Sequence, residues 1–187
     1  AFHLWAFGSQ TRERVILNIG GMANISALRP AAPVPVRGFD TGPGNALLDG
    51  WNRRHGRGEY DRDGKWARSG CVNAPLLARL RAHPYFRLPA PKSTGREEFN
   101  LAWLDMQLGG MRIADRDVQA TLLELTATTI ADAISDNLPE TGEVFVCGGG
   151  VHNASLMARL RELLNPRTVQ GTAALGIEPD WVEAGLF

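Results

Sequence analysis

Apolar and polar positions follow two periods along this chain, and the switches between them predict strands alternating with helices. Residues 14–19 (Arg-Val-Ile-Leu-Asn-Ile) are apolar almost throughout, as in a strand covered on both faces. Gly20-Gly21-Met22-Ala23-Asn24 interrupts the run and Ile25–Leu28 resumes it, which predicts a hairpin with a glycine turn. A Pro- and Ala-rich loop over 29–35 leads to a short strand, 36–39, and then to a helix from about Gly44 to His55 with Leu47, Leu48 and Trp51 on one face. Residues 56–70 are polar and Gly-rich and read as loop. Asn73-Ala74-Pro75 caps a helix carrying Leu76, Leu77 and Leu80.

Pro84, Pro89 and Pro91 end that unit, and Lys92–Glu97 forms a compact polar loop before a helical stretch at Phe99–Leu104. Asp117 is a good N-cap for the longest helix, about 118–137, in which Val118, Leu122, Leu125, Thr129 and Ala133 keep helical spacing. Glu143–Cys147 reads as a buried strand running into Gly148-Gly149-Gly150. Asn153–Leu164 reads as a helix with Leu156, Met157, Leu160 and Leu164 inward, Val169 lies in a short strand, and a last helix begins near Pro179. A hairpin followed by alternating helices and strands is an α/β pattern.

Bulk properties narrow the picture only a little. With Lys+Arg 20 against Asp+Glu 20 in 187 residues, no global field recruits nucleic acid or an acidic membrane. No apolar run approaches the roughly 20 residues of a membrane span. The two cysteines, Cys71 and Cys147, have no metal-like spacing, so a reduced, cytoplasmic protein is expected. Of the five tryptophans, Trp66 in the polar stretch is the candidate for an exposed stacking platform. The chain starts at Ala1 without an initiator Met and stops at Phe187 within an amphipathic pattern, which suggests a fragment.

The glycines cluster at three places where chemistry is plausible. Asp40 ends the 36–39 run and is followed by Thr41-Gly42-Pro43-Gly44-Asn45, where glycines and proline argue against regular structure and free backbone N–H groups for a ligand. A carboxylate at a strand end beside a Gly-rich helix start suits proton abstraction close to an anionic phosphate; the plain alternative is an ordinary turn. Gly148-Gly149-Gly150 removes side chains where a flat ring or a phosphate could approach, though it matches neither G-x-G-x-x-G nor the Walker A pattern, and a packing turn is the alternative. Asn153 after it is a natural helix cap, and His152 a turn residue. Gly20-Gly21 is the second such turn, alternatively a plain hairpin. Lys92, Ser93, Thr94, Arg96 and Glu97 put two cations and two hydroxyls in one short loop, suited to a carboxylate or sugar.

Six segments in order resemble the anhydro-N-acetylmuramic acid kinase family of the actin/hexokinase/Hsp70-like ATPases. They are Phe2-His3, Asn18–Asn24, Gly38–Asn45, Pro91–Glu97, Cys147–Asn153 and Pro179–Ala184. The resemblance implies a ribonuclease H-like (actin-like ATPase) lobe, a mixed sheet with flanking helices, over 1–187, plus a helical insertion at about 56–115. It implies ATP-dependent opening of a 1,6-anhydro ring with phosphorylation of the sugar's O6, as in peptidoglycan recycling. ATP and Mg²⁺ are the implied cofactors, and the family suggests a homodimer. Asp40 is implied as the catalytic base. Gly20, Gly21, Asn24, Gly148, Gly149, Gly150 and Asn153 are implied for nucleotide, and Thr41, Gly42, Asn45, Lys92, Ser93, Thr94, Arg96 and Glu183 for the sugar. The family's N-terminal phosphate loop, Gly-Thr-Ser-x-Asp-Gly, has no match, so an isolated C-terminal lobe without turnover is expected. The competing readings are an inactive sugar- or partner-binding module and another sugar kinase of the superfamily.

Overall fold

In this computed structural model, residues 12–29 and 36–176 are described; Phe2-His3, Asp180, Glu183 and the helix expected from Pro179 lie outside them. Five strands, β1 (Arg14–Ile19), β2 (Met22–Leu28), β3 (Val36–Pro43), β4 (Glu143–Cys147) and β5 (Thr168–Gly171), form one sheet in the order β3-β2-β1-β4-β5. The β1–β2 and β2–β3 pairs are antiparallel, and β1–β4 and β4–β5 are parallel. The parallel half explains why Val15-Ile16-Leu17 and Val144-Phe145-Val146 are continuous apolar runs: both sheet faces are covered.

The faces are unequal. Val15, Leu17, Ile25, Val144 and Val146 point into a large core with the helices, whereas Ile16, Leu28, Phe145 and Cys147 form a small cluster on the other side. The helices are α1 (Ala46–Arg54), α2 (Lys65–Arg68), α3 (Ala74–Arg81), α4 (Leu101–Leu108), α5 (Asp115–Asn137) and α6 (Ala154–Leu164). The central helix, α5, is buried along most of its length, with Leu122, Leu125, Ile130 and Ile134 inward.

Several expectations hold residue by residue. Asn73 and Asn153 cap α3 and α6, accepting from the N–H of Leu76 at 2.9 Å and of Leu156 at 3.0 Å. Cys71 is exposed and Cys147 buried, and neither forms a disulfide among the described residues.

Others need correction. Regular structure does not stop at Asp40, because β3 continues through Pro43. Asn24 pairs with Asp40 while Ala23 pairs with Gly42, so Thr41 is an extra bulged residue that lets the strand bend without breaking. Residues 56–70 are not all loop: a tight turn at Arg62–Gly64 runs into α2. Asp61 makes this helix possible, its carboxylate accepting from the Trp66 and Ala67 N–H groups at 2.9 Å. Trp66 is therefore turned into the core, 8% exposed, and is no sugar platform. Asp117 does not cap α5, which starts two residues earlier after Ala114; its carboxylate instead accepts from the Cys71 N–H at 2.9 Å.

Candidate active site

Asp40 lies in the edge strand β3, on the thin-cluster face that it shares with its cross-strand neighbour Asn24. The 85–94 segment packs along this edge and fixes the residue from three directions. The Asp40 N–H donates to the Lys92 carbonyl at 2.9 Å, and the Asp40 carbonyl accepts from the Tyr85 hydroxyl at 2.7 Å. The Thr94 N–H donates to Asp40 Oδ2 at 3.0 Å. Oδ1 has no hydrogen-bond partner among the described residues. A half-buried carboxylate with one oxygen anchored and the other open is placed to accept a proton.

The anchors are themselves held. Burial, and after it the charges of Asp40 and Glu98, push the Tyr85 hydroxyl upward, so it remains a neutral donor. Lys92 donates to the Tyr85 and Phe86 carbonyls at 3.0 and 3.4 Å and lies 4.6 Å from the Tyr85 ring centre. Burial lowers its pKa, with Asp136 opposing. Its ammonium thus ties the segment together. Thr94 Oγ1 donates to Glu98, and Ser93 is exposed at the loop surface.

The residues after Asp40 are spent largely on backbone geometry. Buried Thr41 donates to the Ala23 carbonyl at 3.2 Å, stabilising its own bulge. Gly42 has φ +145, and a Cβ there would stand 2.8 Å from Phe86 Cε1. The N–H groups of Gly44, Asn45 and Ala46 donate to the carbonyls of Gly21, Gly20 and Gly21 at 2.9, 2.8 and 3.0 Å. This start of α1 is therefore joined to the β1–β2 turn, and a Cβ on Gly44 would lie 2.5 Å from the Gly20 carbonyl oxygen.

The triple glycine divides by role. Gly148 (φ +75) packs on Asn18 and Gly150 on Ile19, so close contact within the protein accounts for both. Gly149 alone has room for a side chain, since a Cβ there would meet only Asn45 Nδ2, at an ordinary contact of 3.7 Å. With Asn45, Leu48, Asp49, Tyr60, Asp61, Asp63, His152 and Asn153 it lines a cleft of about 340 Å³. Asn45 reaches across, donating to the Ile19 carbonyl at 3.1 Å. The Asn153 oxygen is engaged by its helix. A wider hollow of about 700 Å³ between Arg57, Tyr60, Trp66 and Arg116 contains none of the predicted catalytic or nucleotide residues, so we give it no role.

Three cleft residues escaped the sequence reading. Asp49, one turn into α1, has its pKa pushed up to about 6 by burial, against the opposing charges of Arg53 and Arg96 and with a smaller push from Glu59. Asp63 has φ 58, a left-handed backbone for a non-glycine residue, held by Ser155 donating to the Asp63 carbonyl at 2.8 Å. Tyr60 is 55% exposed. Only the polar position of Asp49 within the apolar helix pattern could have signalled any of them.

The sheet order, its half-parallel pairing and the glycine turns at strand ends are those of one lobe of the actin-like ATPase fold. Two solved structures share it at low identity. One is an activator of 2-hydroxyisocaproyl-CoA dehydratase from Clostridium difficile with bound ADPNP, at TM-score 0.55, 12% identity, and coverage of 94% of this chain and 58% of that one. The other is (R)-2-hydroxyglutaryl-CoA dehydratase component A from Acidaminococcus fermentans, at TM-score 0.53, 13% identity, and coverage of 92% and 62%. Within that class the sequence is specific. The family model for anhydro-N-acetylmuramic acid kinase matches residues 1–187, and the chain belongs to that family.

Relatives named anhydro-N-acetylmuramic acid kinase include those of Pseudomonas paraeruginosa, 52% identical over 188 residues, and Thiobacillus denitrificans, 50% identical over 189 residues. Each match covers 100% of this chain but only 51% and 50% of those relatives, so the chain spans about half the length of the curated relatives it matches. Among the described residues, no helix is long and apolar enough to cross a membrane.

Proposed function

We propose that this chain is the base-bearing lobe of an ATP-dependent kinase that opens the 1,6-anhydro ring of anhydro-N-acetylmuramic acid and phosphorylates O6. The observation that carries this is Asp40, with Oδ2 held by the Thr94 N–H and Oδ1 open. Asp40 takes a proton from a water whose oxygen bonds to the anomeric carbon. The anomeric bond to the bridging oxygen then breaks, and that freed O6 bonds to the γ-phosphorus of ATP as the bond to the β–γ bridging oxygen breaks and ADP leaves. Thr94 and Tyr85 hold the carboxylate in place through its oxygen and its backbone, so little reorganisation is needed at the moment of reaction.

The cleft at Asn45, Gly149 and Tyr60 is shaped for a flat, partly polar group such as adenosine, and the Gly20–Gly21 turn lies beside it through its bonds to Asn45. ATP would supply the phosphoryl group. Among the described residues no cluster of three or more acidic, His or Cys side chains could hold a metal; Mg²⁺ would enter on the nucleotide phosphates and offset their charge. Sugar contacts fall to Asn45 and the Thr94–Arg96 loop, with Lys92 and Thr41 acting as supports. We place the product, N-acetylmuramic acid 6-phosphate, in peptidoglycan recycling and the protein in the cytoplasm.

Since the chain matches half of each relative, turnover is expected to need the other half. The test joins this chain to the unmatched half of the Pseudomonas paraeruginosa relative and follows ATP-dependent formation of the 6-phosphate by mass spectrometry. Product from the two-lobed protein and none from the 187 residues alone is expected. Failure of a folded, ATP-binding chimera to form product would sink the kinase assignment.

A further inference from the structure

Arg96 leaves the loop that anchors Asp40 and lays its guanidinium over the Gly20–Gly21 turn. A Cβ on Gly21 would stand 3.0 Å from Arg96 Nη2 and 3.1 Å from Nε, so the missing side chain is what admits the guanidinium. Among the described residues its guanidinium has no hydrogen-bonding or ion-pairing partner, although its own loop holds Glu97 and Glu98. Glu98 is taken by Thr94, and Glu97 folds back against Gly95. Asp49 acts on Arg96 only as a charge at longer range. An uncommitted, exposed fork of N–H donors therefore lies against the turn joined to the start of α1, on a loop whose Thr94 N–H, two residues earlier in the chain, anchors the carboxylate of Asp40.

We infer that Arg96 is an anion clamp that binds an oxyanion of the bound substrates between the Gly20–Gly21 turn and Asp40. This rests on the kinase reading. Two substrate oxyanions have the required chemistry: the lactyl carboxylate that distinguishes muramic acid from glucosamine, and the phosphoryl group in transfer. Both are planar or tetrahedral oxygen clusters that a guanidinium can meet with two parallel hydrogen bonds.

The experiment uses the two-lobed chimera and two variants, Arg96→Met, which removes the charge, and Gly21→Ala, which keeps it but crowds the guanidinium by a few tenths of an ångström. Each is assayed with 1,6-anhydro-N-acetylmuramic acid and with 1,6-anhydro-N-acetylglucosamine, which lacks the lactyl acid. Losing a charged hydrogen bond should lower kcat/KM by roughly 10- to 100-fold. If the anion is the sugar carboxylate, both variants lose rate with the muramic substrate alone and the unaltered protein's preference for it collapses. If it is the phosphoryl group, both sugars lose equally, and mainly in kcat. Unchanged kcat/KM for both sugars in a folded Arg96→Met variant overturns the inference while leaving the kinase reading standing; an inactive unaltered chimera that binds ATP instead removes that reading and the inference with it. Circular dichroism and ATP binding confirm that each variant folds.

Discussion

Replacing Asp49 with Asn should stabilise this protein at neutral pH and leave it almost unchanged in acid. Asp49 has its pKa pushed from 3.8 to about 6, with burial the largest cause and the attraction of Arg53 and Arg96 only partly opposing it. A group whose folded pKa is raised holds its proton more tightly in the folded state. Its contribution to stability therefore falls as pH climbs from about 4 to about 6, and stays low above. The full rise corresponds to at most about 3 kcal/mol, and because Asp49 is only half-buried, screening by solvent brings this to about 1–1.5 kcal/mol. The Asn side chain keeps the shape without the charge. Urea denaturation at pH 7.5 should show the variant more stable by that amount, roughly 2–6 °C in Tm. At pH 4.5 only roughly a third of the gain should remain. A gain independent of pH, or a loss at pH 7.5, would refute the reasoning and show that Arg53 and Arg96 hold the ionised form favourably. Asp61, Asp63 and His152 share the cleft and are the same in both proteins, so the difference between them isolates Asp49.

Two further predictions concern the frame of the site. Gly150→Ala would place a Cβ 2.5 Å from Ile19 Cβ, and the overpacking should cost about 1–3 kcal/mol in urea denaturation, whether or not nucleotide is present. Tyr85→Phe removes the 2.7 Å hydrogen bond to the Asp40 carbonyl and should cost about 1 kcal/mol, with a lower kcat in the two-lobed chimera. A stability unchanged within error in either variant would show that the contact does not hold the site.

Much of the scaffold was legible because it depends on local rules. The β1–β2 hairpin, the Asn73 and Asn153 caps and the buried stripe of α5 follow from period, glycine and cap chemistry that act within a few residues. Two of the misreadings involve partners distant in sequence, and the third turns on a carboxylate only five residues away. Thr41 reads as irregular backbone beyond the strand because the Ala23 carbonyl that holds its bulge is 18 positions away. Asp117 looked like a cap, but the N–H it serves belongs to Cys71. Trp66 sits in a polar stretch and is buried only because Asp61 ties down the start of its helix.

The site divides in the same way. Asp40 and the glycine turns were visible as motifs, and the structure places Asn45, Gly149 and Asn153 on one cleft. It could not be seen that Gly148 and Gly150 are glycines for packing, since Asn18 and Ile19 meet them across the sheet. Nor could the anchors of Asp40 be seen, as Thr94 lies 54 positions and Tyr85 lies 45 positions from it.

The most direct measurement is single-turnover ring opening and phosphoryl transfer by the two-lobed chimera carrying Asp40→Asn. The carboxamide keeps the Thr94 contact but cannot take a proton, so sugar and ATP should bind as before while the chemical step slows by roughly 100-fold or more. A rate equal to that of the unaltered chimera would contradict the assignment of Asp40 as the base.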